Sequence, residues 1–309
     1  MTAAAKRGGA VAGWASRLPP NLGPLAAASG VPVHRIEDGF IRSAGLGAGL
    51  VLPASVVVDT RGLYYDPSIP SDLEHLLQTA ELPPDLVERA RALVALIIAL
   101  GVTKYNLGGA DVALSTERRI VLVPGQVSDD RSVLLGGAGI ADMGTLLARV
   151  RADEPDAYIL FKPHPDVDAG LRRGAVPDDV ALTYADAIVR NAALTPLLAR
   201  VDAVHTISSL TGFEALLRGC PVVCHGQPFY AGWGLTRDLA PISRRTRQRS
   251  LSELAAAALI LYPRYCDPVT GVSCSPEALV QRLAQMSAPT GALRMAAARI
   301  TARRRSQTV

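Results

Sequence analysis

Short apolar runs alternate with longer periodic stretches along most of this chain, and each pattern predicts an element. Val31 to Ile36 reads as a strand ending at Glu37-Asp38-Gly39, and the β-branched run Val56-Val57-Val58-Asp59 as a second. Leu63-Tyr64-Tyr65 is expected as a third short run after the turn Thr60-Arg61-Gly62. Ser71, with Glu74 three residues on, has the form of a capping box opening a helix. Leu86 to Leu100 carries apolar residues at helical spacing and ends at Gly101. A second series follows: strand Ile120–Val123, helix Met143–Arg151, strand Ala157–Phe161, helix Leu194–Ala199, strand Ala203–Ile207, helix Phe213–Leu217 closed by Gly219, and strand Pro221–Cys224. Leu251–Leu261 and Glu277–Met286 are further helices. Strands alternating with helices at this spacing predict an α/β chain with parallel, doubly wound sheets.

The 309 residues suffice for two domains, and a hydrophobic content of 49% against 19% charged residues describes a folded, core-rich chain. The Gly108-Gly109 loop is the natural break. The expected division is 1–110, a first Rossmann-like domain; 111–250, a second; and 251–309, C-terminal helices that cross back onto the first. A net charge of +4, with no long basic run and no aromatic-basic interleaving, excludes a nucleic-acid partner as the expectation. The basic end, Arg299, Arg303, Arg304 and Arg305, reads as solvated, with attraction to an anionic membrane surface as the second option. Cys220, Cys224, Cys266 and Cys274 have no metal-type spacing and suit free thiols in a reducing cytosol. No apolar stretch approaches a membrane span, and Gly8 to Leu18 is too interrupted for a signal-peptide core, so the cytoplasm is expected.

Four polar segments follow apolar runs, where open α/β sheets present ligand-binding residues. Glu37-Asp38-Gly39 and Asp129-Asp130 bring carboxylates suited to acid, base or nucleophile work, although Asp-Gly also makes ordinary turns and Asp-Asp ordinary helix caps. Lys162-Pro163-His164-Pro165 and Ser208-Ser209-Leu210-Thr211-Gly212 bring an imidazole and hydroxyls suited to a phosphate, although each is also compatible with a turn or an N-cap. Glu214, one turn further on, either complements the helix dipole or bonds a ribose hydroxyl. Phe229-Tyr230-Ala231-Gly232-Trp233-Gly234 gathers three aromatics among glycines, as a loop over a ligand or a lid does; a core-anchored loop is the other reading. Taken together, these segments suit a glycosyltransferase with a charged nucleotide-sugar donor.

The order Glu-Asp-Gly, His-Pro, Ser-Ser resembles bacterial transferases that use CMP-activated sugar acids. More specifically, the chain resembles the KpsC family of capsule-polysaccharide β-Kdo transferases. The matching segments are Arg35 to Ser43, Tyr64-Tyr65-Asp66-Pro67 with Pro70 to Glu74, Lys104-Tyr105-Asn106, Val123 through Asp130, Lys162 to Val167, Ser209 to Ala215, Pro228 to Thr236 and Leu261 to Tyr265. Gly13-Trp14-Ala15-Ser16-Arg17 departs from the family's Trp-Gly-basic pattern. Family members are bimodular; this chain is one module long, and its wording is closer to the second module.

The resemblance implies a GT-B architecture of two Rossmann-like domains facing a cleft, and retaining transfer from CMP-β-Kdo by double displacement through a carboxylate. It implies Asp130 as nucleophile and Glu37 and Asp38 on the acceptor side. Gln126, Lys162, His164, Pro165, Ser208, Ser209, Thr211 and Glu214 would hold the donor. The sugar carboxylate requires a cation; Arg42, Lys104, Arg131 and Lys162 are candidates among which the sequence does not choose. No metal and no cofactor are expected. The expected partners are CMP-Kdo, a Kdo-terminated lipid-linked acceptor and capsule-assembly proteins. The expected location is the cytoplasm, with peripheral attachment to the inner face of its membrane as an option. An inverting CMP-sialic-acid-type transferase with Asp38 as base, and a non-catalytic nucleotide- or glycan-binding module, remain alternatives.

Overall fold

The computed structural model describes residues 2–45, 51–106 and 108–286; the basic end at Arg299 to Arg305 lies outside them. Among the described residues ten strands form: β1 Val11–Trp14, β2 Val33–Asp38, β3 Ser55–Asp59, β4 Ile120–Pro124, β5 Tyr158–Lys162, β6 Ala187–Ile188, β7 Ala203–Thr206, β8 Val222–Cys224, β9 Arg237–Asp238 and β10 Pro263–Tyr265. They build two sheets, ordered β1-β2-β3-β10 and β6-β5-β4-β7-β8-β9.

The second sheet is parallel throughout. Counted from β4, its order is that of a dinucleotide-binding Rossmann sheet, with the topological switch between β4 and β7. Both faces of β4 are covered, so its run is apolar without alternation. Ile120 and Leu122 face a core shared with the first half, while Val121 and Val123 face a separate cluster with Met143, Leu146, Leu147 and Val150 of the helix Met143–Asp153.

The first sheet differs from the expected parallel arrangement. β1 and β2 are parallel, but β3 runs antiparallel to β2, and β10 antiparallel to β3. A parallel return needs a crossover helix, and residues 39–54 offer glycines at 39, 45, 47 and 49 rather than a helical run. Leu63-Tyr64-Tyr65 is not a strand. The buried Asp59 carboxylate captures the Arg61, Gly62 and Asp72 amides, and this folds the segment into a turn. In the predicted capping box, Ser71 Oγ accepts from the Glu74 amide at 3.1 Å. The Glu74 carboxylate, however, turns away to the Arg244 and Arg245 guanidinium groups.

The helix Pro84–Ala99 buries Ala90, Leu93, Val94 and Ile97 along one stripe, against a shared core that also contains Leu254, Ala258 and Leu279. The return segment is α-helical over Leu251–Ala255 and widens to π geometry over Ala256–Leu261 before β10 joins the first sheet. Tyr262 then donates to Asp59 at 2.8 Å. The two halves meet in a dry aromatic seam: Phe40 stacks on Phe229 at 4.3 Å between centroids, and Tyr64, Phe213 and Tyr262 surround the pair.

Candidate active site

The carboxyl ends of β4, β5 and β7 deliver Gly125-Gln126, Pro163-His164 and Ser208-Ser209 to one edge of the second sheet. Gly125 makes the first two approach: a Cβ there would lie 2.6 Å from the His164 nitrogen. At the switch point the buried Gln126 amide knits the loops together. Its Oε1 accepts from Thr206 Oγ1 and the Ser208 amide, each at 3.1 Å, and its Nε2 donates to Ser208 Oγ at 3.1 Å. Ser208 Oγ in turn donates to the Ser132 carbonyl at 2.8 Å, so this hydroxyl is committed to the scaffold.

Ser209 caps the helix Leu210–Leu217, its Oγ accepting from the Thr211 amide at 3.2 Å, which leaves its own proton for a further partner. Thr211 contributes that amide. The Tyr230 hydroxyl donates to the Ser209 carbonyl, and Gly212 leaves the room for it, since a Cβ there would lie 2.3 Å from Tyr230 Oη. The aromatic loop therefore belongs to the core rather than to a lid: Tyr230 and Trp233 are fully buried and Phe229 nearly so. It acts on the site from behind.

His164 caps the short turn begun by Pro165, and its Nδ1 accepts from the Asp166 amide at 3.2 Å. That bond puts the proton on Nε2, and burial pulls the imidazole below its ordinary value, so His164 is a neutral donor. Lys162 is half-buried; burial lowers its pKa, and the Asp168 charge opposes this.

Asp129 and Asp130 separate cleanly. Asp129 is exposed and pairs with Arg172 at 3.0 Å. Asp130 is half-buried and caps the helix Arg131–Gly136 through Oδ1, which accepts from the Ser132 amide and hydroxyl at 2.9 and 2.7 Å. A continuous chain of hydrogen bonds thus runs from Asp130 through Ser132 and Ser208 to Gln126.

Glu37 and Asp38 are the last two residues of β2 rather than part of a following loop. Asp38 is neutralised by Arg42, Oδ2 to Nε 2.6 Å. Glu37 forms no ion pair among the described residues, the Lys104 charge acting on it from further off; it accepts from the Tyr65 hydroxyl at 3.2 Å and from the Asp38 amide at 3.1 Å. Burial pushes its carboxyl above the usual range, the Asp38 charge adds to this, and those two hydrogen bonds oppose it. Tyr65, which sequence patterning treated as part of a strand, is held further above its ordinary value by burial and by the Glu37 charge, so it stays a donor.

Glu37, Asp38 and Asp130 all act electrostatically on Tyr64, and Asp38 and Asp130 both act on Lys104, which also acts on His164. Charges of the two halves therefore act on one another. Glu214 reaches the connector between the halves. It is buried, one oxygen accepts from the Lys104 amide at 2.7 Å, and burial raises its pKa. Its visible work is to hold the connector that carries Lys104.

One further set lies on the far face of the second sheet. Among the described residues Asp153, Glu154 and His205 come within 4.8 Å of one another. Asp153 pairs with Arg237 at 2.7 Å and Glu154 with Arg119 at 3.4 Å, and His205 contacts His225 at 3.1 Å.

Comparison with known proteins decides the family. A family model described as capsule polysaccharide biosynthesis protein matches residues 10–107 and 93–265. The chain belongs to this family. LipA of Neisseria meningitidis serogroup A, a capsule polysaccharide modification protein, is 46% identical over 254 residues, covering 82% of this chain and 36% of LipA. LpsZ of Rhizobium meliloti, a lipopolysaccharide-processing protein, is 46% identical over 263 residues, covering 83% of this chain and 59% of LpsZ. The chain thus spans only part of the length of these relatives.

Two solved Thermosulfurimonas dismutans KpsC structures share the fold. The β-Kdo 2,4 transferase matches with TM-score 0.78 and 36% identity over 89% of this chain and 86% of that one. The β-Kdo 2,7 transferase matches with TM-score 0.75 and 35% identity over 91% and 87%. Overall identity does not separate the two. No helix among the described residues is long and apolar enough to cross a membrane.

Proposed function

We propose that this chain is a retaining β-Kdo transferase, moving Kdo from CMP-β-Kdo to a Kdo-terminated, lipid-linked acceptor in capsule polysaccharide biosynthesis. The observation that carries this is the meeting of unlike chemistries at one edge. A Rossmann switch point with a capping Ser209 and a neutral His164 lies beside Asp130 and a Glu37 carboxyl of raised pKa. Family membership and the likeness to two Kdo transferases support the choice of sugar.

In this reading the CMP phosphate takes the Ser209 hydroxyl, the first amides of the helix Leu210–Leu217 and the His164 Nε2–H. Asp130 attacks the anomeric carbon C2 with its second oxygen; the C2–O bond to phosphate breaks and CMP leaves with the electron pair. An acceptor hydroxyl then attacks C2, the bond to Asp130 breaks, and Glu37 accepts the hydroxyl proton. Two inversions give net retention. The raised pKa of Glu37 suits a base working near neutrality. The enzyme would act on the cytoplasmic side, at the membrane surface where a lipid-linked acceptor presents its sugar.

Incubation with CMP-Kdo and a short β-Kdo-terminated acceptor tests this. The expected product is one Kdo heavier by mass spectrometry and β-linked by NMR. An α-linked product would replace the mechanism by an inverting one, and binding of CMP without any transfer would leave a nucleotide-binding module.

A further inference from the structure

Four basic side chains stood as candidates for the sugar carboxylate, and the geometry separates them. Arg42 is committed: its Nε meets Asp38 at 2.6 Å and its Nη1 donates to Ser43 Oγ and to the Val51 carbonyl at 3.1 and 3.0 Å. Arg131 is exposed, and its charge bears on Tyr65. Lys162 is biased by burial toward its neutral form, with the Asp168 charge opposing. Neighbouring Arg172 is engaged by Asp129.

Lys104 is unlike these. Its main chain is fixed from both halves of the molecule: its carbonyl accepts from the Arg42 and Ser43 amides at 3.1 and 3.2 Å, and its amide donates to Glu214 at 2.7 Å. Thr103 and Asn106 close the turn around it with reciprocal bonds of 2.9 and 3.0 Å, and Asn106 Nδ2 reaches the Ser43 carbonyl at 3.1 Å. Asn106 holds φ +49°, a left-handed conformation that asparagine tolerates and β-branched residues resist. The ammonium lies over the Tyr105 ring, 5.1 Å from its centroid. Among the described residues no carboxylate comes within the 4.0 Å of an ion pair. Burial works to lower its pKa, yet Tyr105 and the Asp38 and Asp130 charges outweigh it, and the net shift is upward. The ammonium is thus held against Tyr105, with no carboxylate paired to it among the described residues.

We propose that Lys104 is the specificity-determining cation of this cleft and binds the carboxylate of the donor's sugar acid. The inference rests on the transferase reading and names its carboxylate site. The chemistry requires a cation there. In a 2-keto sugar acid the carboxylate is bonded directly to the carbon under attack, so an anionic nucleophile approaches a second anion. A fixed ammonium between the two removes that repulsion and orients C2. Glu214 is then a positioning residue, acting on the sugar through the Lys104 main chain rather than on the nucleotide.

The test compares CMP-Kdo with its C1 methyl ester, using CMP alone as the control ligand. Wild type is expected to prefer the acid over the ester by about 10- to 100-fold in kcat/KM, the range of one lost charge-assisted hydrogen bond. Lys104→Met is expected to bring that preference within about threefold while CMP affinity, by titration calorimetry, stays within about threefold of wild type. Lys104→Arg, which keeps the charge, should keep the preference. Glu214→Ala should lower transfer with CMP affinity retained, and Glu214→Gln, whose carbonyl still accepts, should restore it. An acid preference that survives in Lys104→Met overturns the assignment, as does a parallel loss of CMP affinity, which would make Lys104 a phosphate ligand. Absence of Kdo transfer by wild type itself would instead sink the transferase reading.

Discussion

The two halves of the molecule solve different physical problems. The second presents neutral groups held by a parallel sheet: a histidine that keeps one proton on Nε2, a capping serine, and backbone amides at a helix start. The first presents acids on a mixed sheet, one paired with Arg42 and one in a buried place with no ion pair among the described residues. Anion binding needs donors that do not titrate, whereas proton transfer needs a group that does. Under the proposed function, nucleotide affinity and acceptor activation should be alterable separately, with Asp130 acting where the two meet.

The largest effect should come from the seam. Asp130→Asn keeps an oxygen to cap Ser132 but removes the nucleophile, and transfer should fall by at least about a thousandfold with CMP affinity within a few-fold. Single-turnover assays with calorimetry check both; turnover retained at the wild-type rate would dismiss the assignment. Next is Glu37→Gln, expected to lower transfer by about a hundredfold or more, in the range of a lost general base, and to leave CMP binding unchanged. Because burial raises the Glu37 pKa and the base works deprotonated, wild-type kcat/KM should decline as pH falls through that raised value. The glutamine variant should lose that acidic limb; if the limb persists, another group titrates. The smallest effect is on binding. His164→Ala should weaken CMP by about ten- to a hundredfold without moving the pH profile of the residual transfer. A shifted profile would place His164 among the proton-transfer groups and blur the division between the halves.

The central strands of the second half were readily legible because they are largely apolar runs followed by turn residues, as in Ile120 to Val123 with Gly125 beyond, whereas the two-residue edge strands Ala187–Ile188 and Arg237–Asp238 carry no such run and were not expected. The first half was less so, since direction depends on what connects the strands; the run at Val56 to Asp59 looks the same in either orientation. The segments of the site were visible as polar punctuation after apolar runs. Their division of labour was not. Glu37 and Asp38 are adjacent and chemically alike, and only the ion pair to Arg42 tells them apart. Glu214 has a helix position that suits a ribose contact, yet its partner comes from residue 104, 110 positions earlier. The aromatic loop suggested exposure because glycines surround it, but Gly212 and the Tyr230–Ser209 bond draw it into the core. Sequence spacing carries periodicity; it carries little about which distant partner a polar group meets.

The return of β10 to the first sheet bears on the order in which the molecule is assembled. All six strands of the second sheet lie between residues 120 and 238, whereas the first sheet opens at residue 11 and closes only at residue 265. On a ribosome the earlier-made half must wait for the later one. Until residues 263–265 emerge, the outer edge of β3 offers unpaired peptide groups, and the Asp59 carboxylate lacks the Tyr262 hydroxyl. Contacts spanning more than two hundred residues are slow to close. The acid-bearing half is therefore the one expected to need protection during synthesis, and a chain shortened before residue 263 would lose a strand from a sheet begun near its start.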